Sequence, residues 1–575
     1  MNKIQKVLTS TMIIAATQIT SGCSNHRQML TQQQSNQEIK QARLDIEVTK
    51  TYLHFPISHT ADEQKISIVS KNKLTHKFDM RLVDVENADS WIYIDMTDYL
   101  GQTISINTDQ PTTQGLSDIY QDNNFHGHDK LYQEALRPLV HFTAKQGWLN
   151  DPNGLVYHDG EYHLYFQHNP YGTRWGNMHW GHAVSNDLLH WQELPIVLKP
   201  YDFTYPAYSG SAVVDVNNTA GFSADKNNPA IVALFTSEGR GEALAYSIDK
   251  GRSFTEIEDN PLIVHDGRDP KIFWHEDTKR WIMVLYSQES SKASNGQTYN
   301  KRLLKIYNSS DLKEWQYQSA VEGFYECPEL FELPIQGNEQ ESRWIMYGGT
   351  GDYLIGDFDG KVFTPNSPML NLVTGSFYAS QTYNNQPENR RIQIGWAPIE
   401  SPKMPFNKLM AFPTELTLVN TVDGLRMRAQ PIKEIKKLHG SVQQVNNHTL
   451  TNDTPMEIHS SADAVHIIAE FEVLDDFAFG IEINDYKIHY NTIKNLLDKS
   501  FIRQPSDKQF RFEIIVDKTS IEYFVNNGER YHIAGHIDKA PGTKVKVYSK
   551  SPSWYKGSTL LKQLSIYDLN SIWQQ

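Results

Sequence analysis

Short runs of apolar residues, separated by turn-forming residues, recur along most of the chain. They are rich in Ile, Val, Tyr, Phe and Trp, which is the composition of β-strands. Long stretches with apolar residues at helical spacing are rare. The pattern therefore predicts an all-β fold, and a chain of 575 residues is too long to fold around a single core.

An internal repeat between residues 136 and 425 gives the best indication of the architecture. Its marker is a Ser–Asp turn followed by an aromatic residue, with the aspartates evenly placed at Asp187, Asp249 and Asp311. Strand-like runs lie between these turns and beyond them: Tyr162–Phe166, Ile231–Phe235, Trp281–Tyr286, Trp344–Tyr347 and Ile392–Trp396. A repeat of this length holds about four strands, which make one blade of a propeller, and five blades fit into the region. A β-sandwich is the alternative, but it would not explain the equal spacing.

The flanking segments also have strand patterns. Residues 45–125 predict a small N-terminal β domain, for which a packing or spacer role is favoured over a binding role. Residues 426–445 predict a linker, with a short helix over 430–438. Residues 446–575 return to strand patterns and predict a C-terminal β-sandwich. The expected fold is thus all-β: a five-bladed β-propeller followed by a C-terminal β-sandwich, with a small N-terminal β domain.

The first residues resemble an export signal. Two lysines precede the apolar stretch Val7–Thr17, which is too short to span a membrane as a mature helix. The sequence Thr20–Cys23 resembles a bacterial lipoprotein processing site. We therefore expect a signal peptide over 1–22, a lipidated Cys23 and a polar tether over 23–44, in an exported lipoprotein of the periplasm or outer cell surface. Ordinary secretion with an unmodified cysteine is the alternative.

Charge and cysteine content restrict the function further. There are 68 acidic and 54 basic residues, a net charge of −14, and no basic cluster, so nucleic-acid binding is not expected. An acidic chain suits a neutral or cationic partner such as a neutral sugar, and a membrane contact is expected only through the lipid anchor. The chain has two cysteines, Cys23 and Cys327, so lipidation of the first would exclude an internal disulfide. No cofactor or metal is expected: His179 and His182 would lie on opposite faces of a strand, with no ligand set to complete a site.

Three carboxylates stand beside prolines at matching places in the repeat. Asp151 precedes the first strand of blade one, Asp269 that of blade three and Glu326 that of blade four, while Ser209 holds the matching place in blade two. Because the first strands of a propeller line its central channel, the register places three acids near one mouth of that channel. Taken alone, each motif is also a common turn sequence, as in Asp-Pro-Asn-Gly. Together they predict a glycosidase site.

Glycosidases use two carboxyl groups, about 5–5.5 Å apart in retaining enzymes and about 6.5–9.5 Å apart in inverting ones. Spacing in sequence does not choose between these mechanisms. The general acid must hold its proton near neutral pH, and two acids nearby are expected to raise its pKa. Glu326 has the longer side chain and is assigned this acid/base role. Cys327 is not favoured as a nucleophile because no partner His stands out, and a Ser-His-Asp site is disfavoured because no Gly-x-Ser-x-Gly elbow is present.

Over about residues 140–570 the chain resembles glycoside hydrolase family 32, the invertase, inulinase and levanase family. The motifs that carry the resemblance are Trp148–Gly154, Tyr165–Gln167, Trp175–Asn177, His179–His182, Tyr208–Ser211, Arg268–Pro270, Glu326–Pro328 and Ser520–Asn526. Two positions depart from the family pattern: Leu149 replaces the commoner Met, and Tyr208 the commoner Phe. The resemblance implies a five-bladed propeller followed by a β-sandwich and a retaining mechanism on β-fructosides.

The resemblance also implies roles for individual residues. Asp151 would be the nucleophile, Glu326 the acid/base, and Asp269 with Arg268 would bind fructose hydroxyls and stabilise the transition state. A pocket for one fructose ring would be shaped by Trp148, Asn150, Gln167, Trp175, Tyr208 and Ser209, with Trp396 either part of it or a core residue of blade five.

The predicted activity is hydrolysis of β-fructofuranosyl linkages in levan, inulin or sucrose through a fructosyl-enzyme intermediate. Two alternatives remain open: fructosyl transfer, and a fructan-binding surface lipoprotein with a degenerate site. The presence of all three acids argues against the second. Neither exo or endo action nor linkage preference can be inferred from the sequence.

Overall fold

The computed structural model describes residues 42–573, apart from 111–114, 226, 266, 294, 499 and 538–540. Within these residues the regular structure is β-strand except for short 3₁₀-helices at Val85–Asn87, Thr97–Tyr99, Leu116–Asp118, His128–Lys130, Pro387–Asn389 and Lys433–Leu438. The predicted signal peptide and Cys23 lie outside the described residues. No helix found among the described residues is long and apolar enough to cross a membrane.

The N-terminal β unit consists of two small sheets. Its strands are β1 (Arg43–Glu47), β2 (Tyr52–Ile57), β3 (Gln64–Ser70), β4 (Lys73–Met80), β5 (Ser90–Asp95), β6 (Thr103–Thr108) and β7 (Tyr120–Asp122). One sheet has the order β1-β6-β3-β4 and the other β5-β2-β7. Alternate apolar side chains, among them Phe55, Ile66, Ile92 and Ile104, form a shared core. The predicted N-terminal β domain is therefore confirmed as a fold element, and β4 and β5 are edge strands.

Blades one to three of the propeller are four-stranded antiparallel sheets. Blade one holds β8 (Gly147–His158), β9 (Glu161–Asn169), β10 (His179–Ser185) and β11 (Gln192–Leu198). Blade two holds β12 (Ala207–Val214), β13 (Ile231–Ser237), β14 (Gly241–Ser247) and β15 (Thr255–Glu256). Blade three holds β16 (Gly267–His275), β17 (Arg280–Lys292), β18 (Thr298–Ser309) and β19 (Gln316–Glu322).

Blades four and five complete the ring. Blade four holds β20 (Glu329–Ile335), β21 (Asn338–Tyr347), β22 (Asp352–Phe358) and β23 (Phe363–Pro365), with β24 (Leu370–Asn371) beside β22 and β25 (Val373–Gly375) following it. Blade five holds β26 (Tyr378–Thr382), β27 (Ile392–Ala397), β30 (Thr414–Thr421) and β31 (Gly424–Pro431). Between its second and third strands, β28 (Phe406–Asn407) pairs in parallel with β8, and β29 (Leu409–Met410) pairs with β27. The pairing of β28 with β8 joins the last blade to the first.

The repeat that predicted the propeller is confirmed in its main features. The five apolar runs form the second strands of the five blades. The Ser–Asp turns join the third and fourth strands of blades one to three, and the Asp187 carboxylate accepts hydrogen bonds from the backbone N–H groups of Leu189 and His190 (3.1 and 3.0 Å). In blade four the corresponding turn aspartate is Asp359, so the even spacing ends with Asp311.

Polar side chains connect the five first strands around the channel. Ser211 of β12 donates to a backbone carbonyl of β16 and accepts from a β16 N–H, both at 2.8 Å. Lys271 of β16 lies 2.8 Å from the carboxylate of Glu329 in β20, and Thr382 of β26 donates to the same carboxylate at 2.5 Å. Gln381 of β26 bonds to backbone groups of β8 and β12 at 2.8 and 3.0 Å. These buried contacts fix the relative positions of the strands that line the channel.

The C-terminal β-sandwich follows the propeller. Its strands are β32 (His439–Leu450), β33 (Met456–Ser460), β34 (Val465–Val473), β35 (Ala478–Ile483), β36 (Tyr486–Asn491), β37 (Leu496–Leu497), β38 (Ser500–Phe501), β39 (Gln509–Asp517), β40 (Ser520–Val525), β41 (Arg530–Gly535), β42 (Thr543–Lys550) and β43 (Thr559–Leu569). One sheet has the order β25-β41-β40-β39-β34-β43-β32 and the other β33-β42-β35-β36-β37-β38. The predicted linker over 426–445 is too long, because β31 pairs with β30 as far as Pro431 and β32 begins at His439.

A buried histidine joins the sandwich to the propeller. His141 Nδ1 lies 2.7 Å from Asp517, and its Nε2 lies 3.0 Å from Glu522, which also accepts the backbone N–H of Phe412 in blade five. Burial alone would lower the pKa of His141, but the two carboxylates outweigh it and raise the pKa to about 9. Glu522 belongs to the motif Ser520–Asn526 noted in the sequence, which therefore lies at the junction of the two domains.

Candidate active site

Four of the five first strands contain a register irregularity near the start of the strand. It lies between Leu149 and Pro152 in β8, Ala207 and Gly210 in β12, Arg268 and Lys271 in β16, and Tyr378 and Gln381 in β26. A bulge of this kind turns a side chain away from its regular direction in the sheet. Asp151, Ser209 and Asp269 all lie within these irregular segments, so the same local device directs a polar side chain in three blades.

The backbone around two of the acids is unusual. Asp269 has a φ of 65°, and Glu326 and Cys327 have φ values of 48° and 44°, in a region that residues other than glycine seldom occupy. Glu326 precedes β20, as predicted. Asp151 and Asp269 were expected just before their strands, but both lie inside them, because pairing continues past the bulges on either side.

The three acids meet around Cys327. The Cys327 Sγ lies 3.9 Å from Oδ2 of Asp151 and 3.6 Å from Oδ2 of Asp269, and its backbone N–H donates to Asp269 at 3.2 Å. Burial raises the pKa of the Cys327 thiol well above its usual value, and the charges of the neighbouring carboxylates raise it further. The thiolate of Cys327 is therefore disfavoured, and with it a role of Cys327 as a nucleophile. The structure therefore brings Asp151, Asp269 and Glu326 together at one end of the channel.

Burial has a strong effect on the two aspartates. It raises the pKa of Asp151, and the charge of Glu326 adds to this, while hydrogen bonds oppose it, including one from the Ser209 hydroxyl at 2.7 Å. Burial also raises the pKa of Asp269 to about 8, with further contributions from the charges of Asp151 and Glu326 and an opposing one from Arg268. Like charges held close together in a buried site cause such shifts.

The pKa of Glu326 is shifted downward, whereas the sequence predicted an upward shift. Burial raises its pKa, but hydrogen bonds from the Arg268 guanidinium and from the Tyr378 hydroxyl (2.7 Å) outweigh burial, so the net shift is downward. The expected upward shift of this pKa is therefore wrong. Tyr378 was missed in the sequence, although it opens the first strand of blade five, which is the place that corresponds to the acids in the other blades.

Aromatic side chains from two blades lie on one side of the acids. The Trp148 and Trp396 rings are 5.9 Å apart, and the Trp148 indole N–H donates to Asn150 at 2.9 Å. Trp396 also lies near Tyr378, with ring centroids 6.5 Å apart. Its buried indole N–H has no hydrogen-bond partner within the described part of the chain. Trp396 packs against the core as well, so it belongs both to the core of blade five and to the group that surrounds the acids.

The remaining predicted residues come from blades one and two. Trp175 is 55% exposed and lies against Tyr208, with ring centroids 5.9 Å apart. Gln167 is buried, and its side-chain amide donates to the carbonyl of Ala207 at 3.0 Å. Gln167 therefore supports the strand that carries Tyr208 and Ser209.

A larger cavity of 590 Å³ opens at the opposite end of the first strands. Its lining includes later residues of the same strands, among them Val214, Phe273, Trp274 and Phe331, together with Tyr383, which follows β26. None of the three acids lines it. The smaller pocket, which Asp151, Asp269 and Cys327 line, is therefore the better candidate for chemistry.

Carboxyl groups gathered in one pocket, with aromatic rings nearby, are the groups that a glycoside hydrolase needs to cleave a glycosidic bond. Residues 141–431 match the family model for the Glycosyl hydrolases family 32 N-terminal domain. The chain belongs to this family, as its sequence motifs predicted.

Relatives and solved structures agree with this assignment. The chain is 34% identical to a levanase of Bacillus subtilis over an alignment of 504 positions, which covers 77% of this chain and 72% of the relative. It is 37% identical to invertase 1 of Saccharomyces cerevisiae over an alignment of 358 positions, which covers 55% of this chain and 65% of the relative. The crystal structure of an exo-inulinase from Aspergillus awamori superposes with a TM-score of 0.67 at 27% identity, covering 77% of this chain and all of that one (100%). These similarities confirm the predicted enzyme class, a β-fructosidase.

Proposed function

We propose that this enzyme hydrolyses β-fructofuranosyl linkages in levan, inulin or sucrose, with retention of configuration and through a fructosyl-enzyme intermediate. The observation that carries the proposal is the meeting of Asp151, Asp269 and Glu326 at one mouth of the channel. A structure of a fructofuranosidase from Schwanniomyces occidentalis complexed with fructose, 28% identical with a TM-score of 0.66, supports the substrate class; it covers 77% of this chain and 99% of that one.

In the first step, Asp151 attacks the anomeric carbon of the fructosyl group, and the bond to the leaving oxygen breaks. The hydrogen bond from Ser209 orients the Asp151 carboxylate. Glu326 gives its proton to the leaving oxygen. In the second step, the Glu326 carboxylate takes a proton from water, the water oxygen bonds to the anomeric carbon, and Asp151 leaves as a carboxylate.

Arg268 links substrate binding to the protonation of Glu326. The Arg268 guanidinium and the Tyr378 hydroxyl stabilise the ionised form of Glu326. Fructose hydroxyls that bind Arg268 and Asp269 would draw the guanidinium away from Glu326 and exclude water. Both changes raise the pKa of Glu326, so that it can hold the proton needed for the first step.

The aromatic side chains would hold one fructose ring above the acids. Rings of this type bind the apolar face of a sugar, while neighbouring amide and indole groups bond to hydroxyls. The proposed binding residues are Trp148, Asn150, Trp175, Tyr208, Ser209, Arg268 and Trp396, with Gln167 as a support.

The test is Asp151→Asn, assayed by the release of fructose from sucrose, inulin and levan. We expect turnover to fall by at least about 10⁴-fold while the melting temperature does not fall, because the amide has nearly the same shape but is not a nucleophile. Asp159→Asn is the matched control, since Asp159 lies in the exposed β8–β9 turn of the same blade, and it should keep full activity. Wild-type activity in Asp151→Asn would overturn the assignment, and oligomers that grow at high sucrose concentration would show transfer instead of hydrolysis.

We also propose that the protein is exported and anchored through a lipid on Cys23. The support is the apolar stretch before Thr20–Cys23 and the similarity to relatives named extracellular exo-inulinase. Labelled palmitate should be incorporated by the wild type and not by Cys23→Ala. Equal labelling of the two, or none in either, would show that Cys23 is not the anchor.

A further inference from the structure

The N-terminal β unit contacts the loop that carries Trp175. This loop, residues 170–178, joins β9 to β10. The Asn177 side chain donates to the backbone carbonyl of Asp79 at 2.8 Å and accepts from the Asp79 N–H at 2.9 Å. It thereby pairs with the free edge of β4 as a neighbouring strand would. Asn177 has a φ of 45° and is two residues from Trp175.

Three further contacts join the same loop to the N-terminal unit. The His59 imidazole lies 2.5 Å from the Thr173 hydroxyl, and Arg174 Nε donates to the His59 carbonyl at 2.9 Å. The rings of Phe78 and Tyr171 are stacked, with centroids 4.0 Å apart and planes inclined by 13°. Tyr171 thus packs onto the core of the N-terminal unit.

A second amide, that of Gln146, makes the same kind of pair, and it also donates to the carbonyl of Pro170 in the loop at 3.3 Å. Gln146 accepts the backbone N–H of Tyr93 at 3.1 Å and donates to the carbonyl of Tyr93 at 2.9 Å. Tyr93 lies in β5, the edge strand of the second small sheet, and Gln146 is two residues before Trp148. The edge strand β4 therefore holds the loop that contains Trp175, and the edge strand β5 holds the segment that leads to Trp148.

We propose that the N-terminal β unit is a positioning element of the substrate pocket, which holds Trp148 and Trp175 where they contact the fructosyl group. The inference rests on the proposed function of the pocket. The family model begins at residue 141, after this unit, so the unit is an addition to the part of the chain that the family shares. A rigid support of this kind matters because small displacements of binding groups weaken the interaction with substrate.

The test compares two substitutions at each amide pair. Asp79→Pro removes the backbone N–H that donates to the Asn177 side chain. The hydrogen bonds between β4 and β3 are kept, because the backbone groups of Asp79 point away from β3. Proline is tolerated at such an edge. Asp79→Ala is the matched control, since it removes only the side chain and its exposed ion pair with Lys65. Gln146→Met removes both bonds to Tyr93 and the bond to the Pro170 carbonyl while it keeps a side chain of similar length, whereas Gln146→Glu keeps the acceptor and replaces the donor by an oxygen.

We expect Asp79→Pro and Gln146→Met to raise the KM for inulin and the Kd for fructose about three- to tenfold, with kcat changed less than about twofold. Asp79→Ala should match the wild type, and Gln146→Glu should be impaired at least as much as Gln146→Met, because it turns a buried carboxylate oxygen toward the carbonyls of Tyr93 and Pro170. The inference is overturned if KM and Kd are unchanged, or if only kcat and melting temperature fall, which would indicate a purely structural role.

Fructose binding, measured by calorimetry, separates this inference from the proposed function. A wild type that binds fructose but releases none from any fructan or from sucrose would refute the proposed function. The fructose Kd of the variants would still decide whether the N-terminal unit positions the pocket. A wild type that neither binds fructose nor turns over would overturn both.

Discussion

Asp269→Asn is expected to make the protein more stable while it removes activity. The Asp269 carboxyl is 8% exposed and lies among the charges of Asp151 and Glu326, and its pKa rises from 3.8 to about 8. The folded state therefore favours the neutral carboxylic acid, whereas the unfolded chain favours the carboxylate. An asparagine at this position is neutral in both states and has nearly the same shape.

The size of the effect follows from the difference in pKa. Below pH 3.8 the side chain is protonated in both states and costs nothing. Between pH 3.8 and about 8 the folded state holds a proton that the unfolded state has lost, so the stability of the wild type falls as pH rises. The interval from pH 3.8 to pH 7 is about three pH units. Each unit lowers the free energy of unfolding by about 1.4 kcal/mol, so Asp269 destabilises the wild type by about 4 kcal/mol at pH 7. Asp269→Asn should remove most of this cost.

The assay is thermal and urea unfolding of the wild type and Asp269→Asn at pH 4 and at pH 7. The two should be similar at pH 4, and the variant should be clearly more stable at pH 7, with turnover reduced at least about 100-fold because an amide does not bond to fructose hydroxyls as the carboxyl group does. A stability difference that is the same at both pH values would contradict the reasoning. Equal stability together with normal activity would remove Asp269 from the site.

Two further predictions concern Glu326 and the domain junction. Tyr378→Phe removes a hydrogen bond from Glu326, so the pKa of Glu326 should rise and the limb of the kcat/KM profile that it governs should move to higher pH; an unchanged profile would exclude this contact from catalysis. His141 has a pKa raised from 6.5 to about 9, so its contribution of about 3 kcal/mol is complete below pH 6.5 and is lost as pH rises through 9. The urea midpoint should fall more steeply over this range in the wild type than in His141→Gln, and parallel curves would contradict this.

Much of the fold could be predicted because strand patterns and turn chemistry are local. The run Trp281–Tyr286 is apolar at every position, as expected of a strand buried on both faces, and it forms β17. The boundary at 425 was wrong because β31 is half exposed and contains two arginines, so its pattern is weak without its partner β30. The register of the first strands could not be predicted, because a bulge depends on pairing between strands and not on the sequence of one of them.

The three acids of the site could be predicted because they occupy corresponding positions in the repeat. Asp151, Asp269 and Glu326 could be placed together from their positions in the blades. Tyr378 carries no acid or proline signal, and only its place at the start of blade five could have revealed it. The direction of the Glu326 pKa shift could not be inferred either, because it depends on two hydrogen bonds formed between blades.

The irregular segments in β8, β12, β16 and β26 have a consequence for how such a pocket can change over time. Each of these four blades has its own bend near its polar group, while the hydrogen bonds further along the strands hold the ring together. A substitution in one bend can therefore redirect one group without disturbing the other four sheets. New substrate preferences could in this way arise one blade at a time on an unchanged frame.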